Sequence, residues 1–575
     1  MYKSDIASPG SRTVDNIPNP DHLLDRPAAG MPRPTTPAAL AAVGDSYESS
    51  ILELPQEVMI GILLLLQPLD VASCRQVCRD WASICSTPIL EYSTLLTRTG
   101  MMNGPAPHTS ITRRLAALEG YHQAWNAARL SLCHGLPLPG DYRYDHLHFS
   151  ETLVPIVHDS QLKLFSLPSA HRHVGFRAMS LDLKPFALRP QFCATDIPQG
   201  LLLIAGFLPS NSRILQCHIL SLSALPTACY DGRATVPVLR VTTNFLFART
   251  LQLNVCGDLL GWMWKGHSCK LKIHNWKTGE LLWSFTHPHL EISFVFLDQS
   301  SVMVARHETL VLDVYTVVSR EPAAPASARL ISFSLPPLAE DASMSVKTLK
   351  SQVPPPEVDG GALFEADPQF SVLAVSFTIT APRTSTDLAD STDSEEYILI
   401  TPLAALLAHV HRETPDTSRE AVDHEQTIPW EHWGTSSSRL LHMLPGAGLW
   451  KSAHISALGS KCAVASYRPF LPLVLDVFIF DVHPFADGTD DDREELAGFI
   501  RTAPVMHGSR TLLNPLRNEL PYRVWHKEVA YDDIIDFPSR PWTDPSFVAL
   551  LNDGLVVANC SRSDMGLTIL HTFSV

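Results

Sequence analysis

Apolar residues are most concentrated between residues 51 and 90, where the pattern predicts two helices. The first begins in the segment LPQE at residues 54–57, because proline suits a first helical position and an acidic side chain suits the positive end of a helix. Over residues 55–66, Val58 and Ile62 share one face, and Met59 lies on another. A helix that is apolar on most faces must be buried in protein or lie in a membrane. A bilayer span needs ~20 residues and this run has about a dozen, so the helix is expected to be buried in protein. We therefore expect it to bind a partner.

A second amphipathic helix follows. Asp70 is a suitable N-cap, and Pro88 is expected to end the helix. The apolar side chains between them recur at steps of three and four residues, as one stripe of a helix requires. The stripe consists of Cys74, Val77, Cys78, Trp81, Ile84 and Cys85.

In order and spacing these residues resemble an F-box. The motif reads Leu54-Pro55-x-Glu57-Val58, then Leu69-Asp70, then Cys74-Arg75-x-Val77-Cys78-Arg79-x-Trp81. The resemblance implies an all-α F-box domain over residues 49–100. Such a domain docks on the Skp adaptor, and through it on the cullin, of an SCF (Skp–cullin–F-box) ubiquitin ligase. An ordinary helical hairpin within a larger core is the alternative.

The resemblance also implies which residues form the contact. Adaptor-binding residues carried over by position are Leu54, Pro55, Glu57, Val58, Ile62, Leu69, Val77, Cys78, Arg79 and Trp81. Those from the first helix would meet the adaptor, whereas those at residues 77–81 would hold the helices together and shape the contact.

Two further segments flank this domain. Residues 1–48 are rich in Pro, Ala, Ser and Asp, and we expect a disordered tail because little apolar area can be buried there. Residues 101–138 resemble the helical connector that follows the F-box in fungal F-box proteins. Within it a helix is predicted over residues 111–130, with Ser110 as a possible cap. The side chains that share one face are Leu115, Leu118, Tyr121 and Trp125.

The pattern changes after residue 139. Short apolar runs alternate with Gly, Pro, Asp and Asn turns up to residue 575, which predicts an all-β domain. Residues 257–285 contain three predicted strands joined by tight turns and resemble a WD repeat, although His274-Asn275-Trp276 stands where the repeat normally ends in Trp-Asp. The fold class is therefore α+β multidomain, with a β-propeller after the F-box. A two-sheet sandwich array is the alternative.

Length limits the number of blades. The roughly 430 residues would allow about nine blades at ~40–50 residues each, and loops reduce the expectation to about six to eight. The expected disordered loops lie near residues 319–360, 381–396, 411–427 and 486–496. Closed propellers often pair the chain ends in one blade, so strands at 547–551 and 567–573 should complete a sheet begun near the start of the β-domain.

Charge and cysteine usage exclude several classes of protein. A net charge of −15 over 575 residues argues against nucleic-acid binding. The eleven cysteines include no C-x-x-C pair, which indicates reduced thiols in the cytoplasm or nucleus. The first residues lack an apolar signal region, and no run is long enough for a membrane span.

The sequence gives only weak signals for metal-binding or catalytic sites. The pairs His146/His148, His171/His173 and His287/His289 could each offer two metal ligands, but no third ligand lies near them in sequence. Cys74 and Cys78 could hold a metal or act as small core residues. No phosphate loop, nucleophile elbow or H-E-x-x-H motif is present. We therefore predict no catalytic residue, no metal and no cofactor.

The segment WEHWG at residues 430–434 resembles one that recurs in fungal F-box proteins. Its tryptophans could line a binding surface or pack between blades.

The resemblance implies a non-catalytic substrate receptor, whose F-box binds the adaptor and whose β-domain binds a target protein. A scaffold that binds the adaptor without a ubiquitination target is the alternative. A propeller enzyme with an attached F-box is a third, and the sequence shows no residues for it.

Overall fold

The computed structural model describes residues 54–127, 131–138, 153–243, 251–317, 329–352, 362–380, 394–412, 426–443, 454–468, 474–483, 495–496, 500–502, 512, 520–530, 545–559 and 568–574, apart from gaps of one to three residues. The described residues from 56 onward belong to one compact unit, and the residues before 56 are assigned to another. Of the residues before 56 only Leu54 and Pro55 are described, so the expected tail lies outside the described residues.

Seven helices are described. They are α1 (Gln56–Leu63), α2 (Pro68–Cys74), α3 (Arg79–Cys85), α4 (Pro88–Arg98), α5 (Ile111–Asn126), α6 (Leu403–Arg412) and α7 (Trp430–Ser437). No helix in the described ranges is long and apolar enough to cross a membrane.

The second predicted helix is in fact two helices. The chain breaks between α2 and α3, and Gln67, not Asp70, occupies the N-cap of α2. Pro88 was expected to end a helix but instead begins α4, because a proline at the first helical turn removes an amide that has no partner there.

The described strands are numbered in chain order. They are β1 (Met101–Asn103), β2 (Ser131–Leu138), β3 (Leu153–His158), β4 (Gln161–Ser166), β5 (Arg177–Asp182), β6 (Arg189–Asp196), β7 (Leu201–Leu208), β8 (Asn211–Ser221), β9 (Val238–Thr242), β10 (Leu251–Cys256), β11 (Leu259–Lys265), β12 (Cys269–Asn275), β13 (Leu281–His287), β14 (Ile292–Phe296), β15 (Ser301–Arg306), β16 (Val311–Thr316), β17 (Arg329–Ser334), β18 (Ser343–Lys350), β19 (Phe364–Ala366), β20 (Val372–Thr380), β21 (Ser394–Pro402), β22 (Gln426–Ile428), β23 (Arg439–Met443), β24 (His454–Leu458), β25 (Lys461–Arg468), β26 (Val474–Asp481), β27 (Glu495–Leu496), β28 (Ile500–Thr502), β29 (Arg523–Ala530), β30 (Pro545–Leu551), β31 (Gly554–Asn559) and β32 (Thr568–Ser574).

The strands form a β-propeller, which confirms the predicted fold class of a helical F-box region followed by a propeller. Among the described residues, six sheets have four or more strands, and one sheet, β3-β4-β5, has three. The first strands of consecutive sheets contact one another in chain order, β3 with β6, β6 with β10, and so on to β24 with β30. Strands that follow one another in a sheet pair antiparallel, as the short turns that the sequence indicates require, and the pair β17 with β22 is parallel.

The two ends of the β region meet in one sheet, as predicted. Its strand order is β2-β32-β31-β30, and β2 pairs antiparallel with β32. The predicted boundary of the connector was wrong at this point, because the last eight residues assigned to it form β2. Their pattern is too short to distinguish a strand from a connecting segment without knowledge of the partner strand.

We expect the C-terminal strand to be essential for solubility. Removing residues 564–575 deletes β32, which lies between β2 and β31, and so leaves both neighbours with unpaired edges. The truncated protein should aggregate in size-exclusion chromatography, whereas removal of Val575 alone should not. A soluble truncation that melts cooperatively would contradict this role of the strand.

The sheet β10-β11-β12-β13 shows how local sequence builds a blade. Its last three strands coincide with the strands predicted at residues 257–285. Trp276, which follows β12, is fully buried and donates a hydrogen bond from Nε1 to the carbonyl oxygen of Gly257 at 2.9 Å. Gly279 has a φ of +78° in the turn before β13, a conformation that glycine adopts without strain.

Insertions extend two other sheets. β22 pairs in parallel with β17, and β28 pairs with β23 and carries β27. The prediction of a disordered loop near residues 319–360 is wrong for its middle part, because β17 and β18 form there. The ends of the other three expected loops are likewise regular structure, in β21, α6, β22 and β27, and the rest of those loops lies outside the described residues.

Candidate functional site

Helix α1 has two apolar faces with different surroundings. Met59 and Leu63, one turn apart, are buried. Val58 and Ile62, also one turn apart, remain 45% and 40% exposed. Since i and i+4 residues share a helical face, α1 packs one face against α2–α4 and presents the other to solvent.

The core beneath α1 is small. Leu63, Val71, Cys85 and Leu90 are its buried members, one each from α1 to α4, and Trp81 packs against them from α3. Burial, followed by the nearby Cys74, raises the pKa of the Cys85 thiol, so this cysteine stays protonated and apolar. A core of this size cannot also cover the outer face of α1.

The outer apolar surface continues beyond α1. Leu65 is 84% exposed, Leu69 70% and Val77 69%, and these three lie after α1, in α2 and between α2 and α3. We define the outer apolar surface as Val58, Ile62, Leu65, Leu66, Leu69 and Val77. Large exposed apolar side chains concentrated in one short segment mark an interaction site.

The structure leaves most of the predicted adaptor-binding residues exposed. Nine are exposed, namely Leu54, Pro55, Glu57, Val58, Ile62, Leu69, Val77, Cys78 and Arg79. Trp81 is half-buried in the helical core. Of the residues expected to hold the helices together and shape the contact, Trp81 packs against the helical core, whereas Val77, Cys78 and Arg79 are exposed. Val77 and Cys78 lie where the chain leaves the helical path between α2 and α3.

Helices α4 and α5 attach this region to the propeller. The predicted face of α5 is correct, since Leu115, Leu118, Tyr121 and Trp125 are all buried. These side chains pack against residues of the last two sheets, and Trp125 lies 5.8 Å from Trp525 between ring centroids. Below α4, β1 pairs with β19 in a separate two-stranded ribbon.

A buried arginine joins these elements. Arg114 on α5 is 5% exposed, and its Nη1 donates to Asn103 Oδ1 at 2.6 Å and to the carbonyl oxygens of Gly104 and Leu363 at 3.0 Å. Its Nη2 donates to the carbonyl oxygen of Ala106. Arg114 therefore links α5 to the end of β1, to the residues that follow β1 and to Leu363, which directly precedes β19.

Tyr92 on α4 completes this link. Its hydroxyl lies 3.0 Å from the carbonyl oxygen of Leu363 and 3.0 Å from Asn103 Oδ1. Burial raises the pKa of the Tyr92 phenol, although Arg114 nearby acts in the opposite direction. Sequence reasoning missed both residues, because the acceptors of Arg114 and Tyr92 are largely backbone carbonyls that leave no motif. The only signal was an arginine on the buried face of a predicted helix.

The other candidate sites have structural explanations or lie outside the described residues. Among the side chains that the structure describes, no group of three or more His, Cys, Asp or Glu could hold a metal ion. Cys74 packs against the helical core, but Cys78 is exposed, so its predicted core role is wrong. His146, His148, His173 and His289 lie outside the described residues.

The tryptophans of residues 430–434 pack between sheets. Trp430 and Trp433 are 2% and 1% exposed, and Trp433 Nε1 donates to the carbonyl oxygen of Ser334 at 3.0 Å. Gly434 is needed because a Cβ there would lie 2.2 Å from the Trp430 ring. The packing alternative is therefore correct for these two tryptophans.

Comparison with known proteins identifies the helical region. Residues 51–94 match a family model described as "F-box-like". These residues form an F-box-like domain. The match ends within α4, so the F-box contains α1–α3, the small core and the outer apolar surface.

No curated protein matches the chain. Solved structures with similar folds include one described as "Crystal Structure of Mitotic Checkpoint Complex", at 9% identity and a TM-score of 0.35, covering 77% of this chain and 91% of that chain. Another is the C-terminal WD40 domain of Sif2, at 9% identity and a TM-score of 0.32, covering 77% and 98%. BamB from Moraxella catarrhalis has 8% identity and a TM-score of 0.28, covering 77% and 97%.

Proposed function

We propose that the chain is the substrate-recognition subunit of an SCF ubiquitin ligase. The F-box would bind the Skp adaptor, and through it the cullin, while the propeller binds a target protein. The observation that carries this proposal is the outer apolar surface, which the F-box leaves exposed although its own core is formed. Apolar side chains with no intramolecular partner are the expected anchors of a protein interface.

The chemistry required of such a receptor is proximity. Holding a target lysine close to a charged conjugating enzyme raises its effective concentration, and the receptor needs no catalytic group of its own. The packing of α4 and α5 against the propeller supports this role, because it fixes the F-box relative to any target on the propeller. The setting for such an assembly is the cytoplasm or the nucleus, where thiols remain reduced.

The proposal is tested by replacing Leu54 and Pro55 with alanine. Leu54 is 40% exposed and Pro55 is also exposed, so the double variant should fold. Truncating two anchors should weaken adaptor binding by a factor on the order of a thousand, since each typically contributes about 2 kcal/mol. Pull-down of the purified adaptor by the full chain measures this loss.

Two further results bear on the proposal. Co-purification of the cullin together with the adaptor would support a ligase receptor, whereas the adaptor without the cullin would support the scaffold alternative. Adaptor binding at wild-type affinity by the double variant would refute the assignment of Leu54 and Pro55 as adaptor-binding anchors. Circular dichroism should show unchanged β-structure in the variant.

A further inference from the structure

The three-stranded sheet lacks the fourth strand that the other propeller sheets have among the described residues. β5 is its last strand, and only six residues, 183–188, separate β5 from β6 of the next sheet. Leu183, Phe186 and Leu188 are buried in this connection and hold it against the neighbouring sheet. This connection has no room for a further strand, and no other described strand pairs with β5.

The backbone of β5 is oriented to accept such a strand. Leu183 N donates to the carbonyl oxygen of Ser160 at 2.6 Å, so in this antiparallel register the odd-numbered residues of β5 direct their backbone groups toward β4. Arg177 N, which donates to Ser166 Oγ at 2.9 Å, agrees with that direction. The N–H and C=O groups of Ala178, Ser180 and Asp182 therefore point away from β4.

The side chains along this edge have their own chemistry. Met179 is half-buried on the face that packs against the next sheet, whereas Ser180 and Ala178 are exposed on the other face. Among the described residues of this sheet and its connection to β6, three exposed cations lie near the edge, against one exposed carboxylate. They are Lys163, Arg177 and Lys184, with Asp182 as the carboxylate. This local excess of positive charge contrasts with the net charge of −15 for the whole chain.

We propose that the β5 edge binds an extended acidic peptide segment as a fourth strand. Backbone hydrogen bonds to Ala178, Ser180 and Asp182 would supply affinity, and the cations would select acidic side chains. An apolar side chain of the peptide would cover Met179. The chain itself extends two sheets in this way, with β22 on β17 and β28 on β23. The inference depends on the proposed receptor function in one respect, since it takes the bound peptide to be a segment of the target protein.

The test uses two labelled heptapeptides and the full chain. One peptide alternates glutamate with valine, and the other alternates lysine with valine. The acidic peptide should bind at least ~10-fold more tightly in fluorescence polarisation, a difference of about 1.4 kcal/mol. Hydrogen exchange should show new protection of the Ala178, Ser180 and Asp182 amides on binding. Equal binding of both peptides, or no binding of the acidic one, would overturn the proposal.

Variants locate the binding to this edge. Ser180→Pro removes an amide that points outward, and proline is tolerated at such a position of an edge strand. Binding should fall by about tenfold or more in this variant and stay unchanged in Ser180→Thr. If Ser180→Pro lowers the melting temperature, a second variant, Lys163→Glu with Arg177→Glu, provides the test. Because both side chains are exposed, this variant should stay folded and should bind the lysine peptide more tightly than the acidic one. Unchanged preference in that variant contradicts the proposal. These assays contain no adaptor, so their failure leaves the F-box function standing.

Discussion

Replacing Val58 and Ile62 with aspartate is expected to abolish adaptor binding while the protein stays folded. Both side chains lie on the outer face of α1 and are nearly half exposed, so a carboxylate at either position keeps its contact with water. In the complex the same carboxylates would be buried without partners, which costs several kcal/mol each. We expect a loss in affinity of more than ~1,000-fold in a titration followed by calorimetry.

The opposite face of α1 supplies the matched comparison. Met59→Ala with Leu63→Ala removes side chains that are 2% and 1% exposed, and this should unfold the F-box through its small core. Leu310→Asp on the propeller, where the native side chain is 40% exposed, should leave adaptor binding unchanged. If the Val58/Ile62 variant also loses helical structure, α1 belongs to a common core and its outer face is no interface.

Replacing Arg114 with methionine is expected to destabilise the packing of α4 and α5 between the F-box and the propeller. The variant keeps the length of the side chain but removes the hydrogen bonds that Arg114 donates to Asn103, to Leu363 and to the buried carbonyl oxygen of Gly104. Asn103 and Leu363 keep the Tyr92 hydroxyl as a donor, whereas the carbonyl oxygen of Gly104 loses the guanidinium. An unsatisfied buried acceptor and lost charged hydrogen bonds together cost on the order of 3 kcal/mol or more. We expect a lower melting temperature and faster hydrogen exchange in α4, α5 and β19.

The neighbouring Arg113 is the control for this variant. Arg113 is exposed on the same helix, so Arg113→Met should change stability little. Adaptor binding by the Arg114 variant should persist, because the outer apolar surface contains no atom of α5. Equal melting temperatures for the two variants would show that the hydrogen bonds of Arg114 do not stabilise the packing of α4 and α5.

Much of the architecture could be predicted where periodicity is local. The buried face of α5 was read correctly from four apolar side chains at helical spacing. The last three strands of the sheet β10-β11-β12-β13 were predicted because tight turns separate them. In each case the signal lies within about twenty residues of chain.

Errors arose where one pattern permitted two geometries. The stripe from Cys74 to Cys85 fits a single helix, yet the chain breaks after α2 and turns Val77 and Cys78 toward solvent. The tryptophans at residues 430–434 fit both a binding surface and an interior, and burial against Phe333 and Ser334, about a hundred residues earlier, selects the interior.

The amino-acid sequence was enough to specify an F-box motif, a helical connector and a propeller, because each depends on the spacing of apolar residues and turns. It could not specify which apolar faces stay uncovered. The exposure of Val58 and Ile62 depends on the size of the core that α2–α4 supply, and the burial of Arg114 depends on its contact with the carbonyl oxygen of Leu363, 249 residues away. That β5 has no neighbour beyond β4 among the described strands likewise follows from strand order, since strands pair through space and not through local sequence.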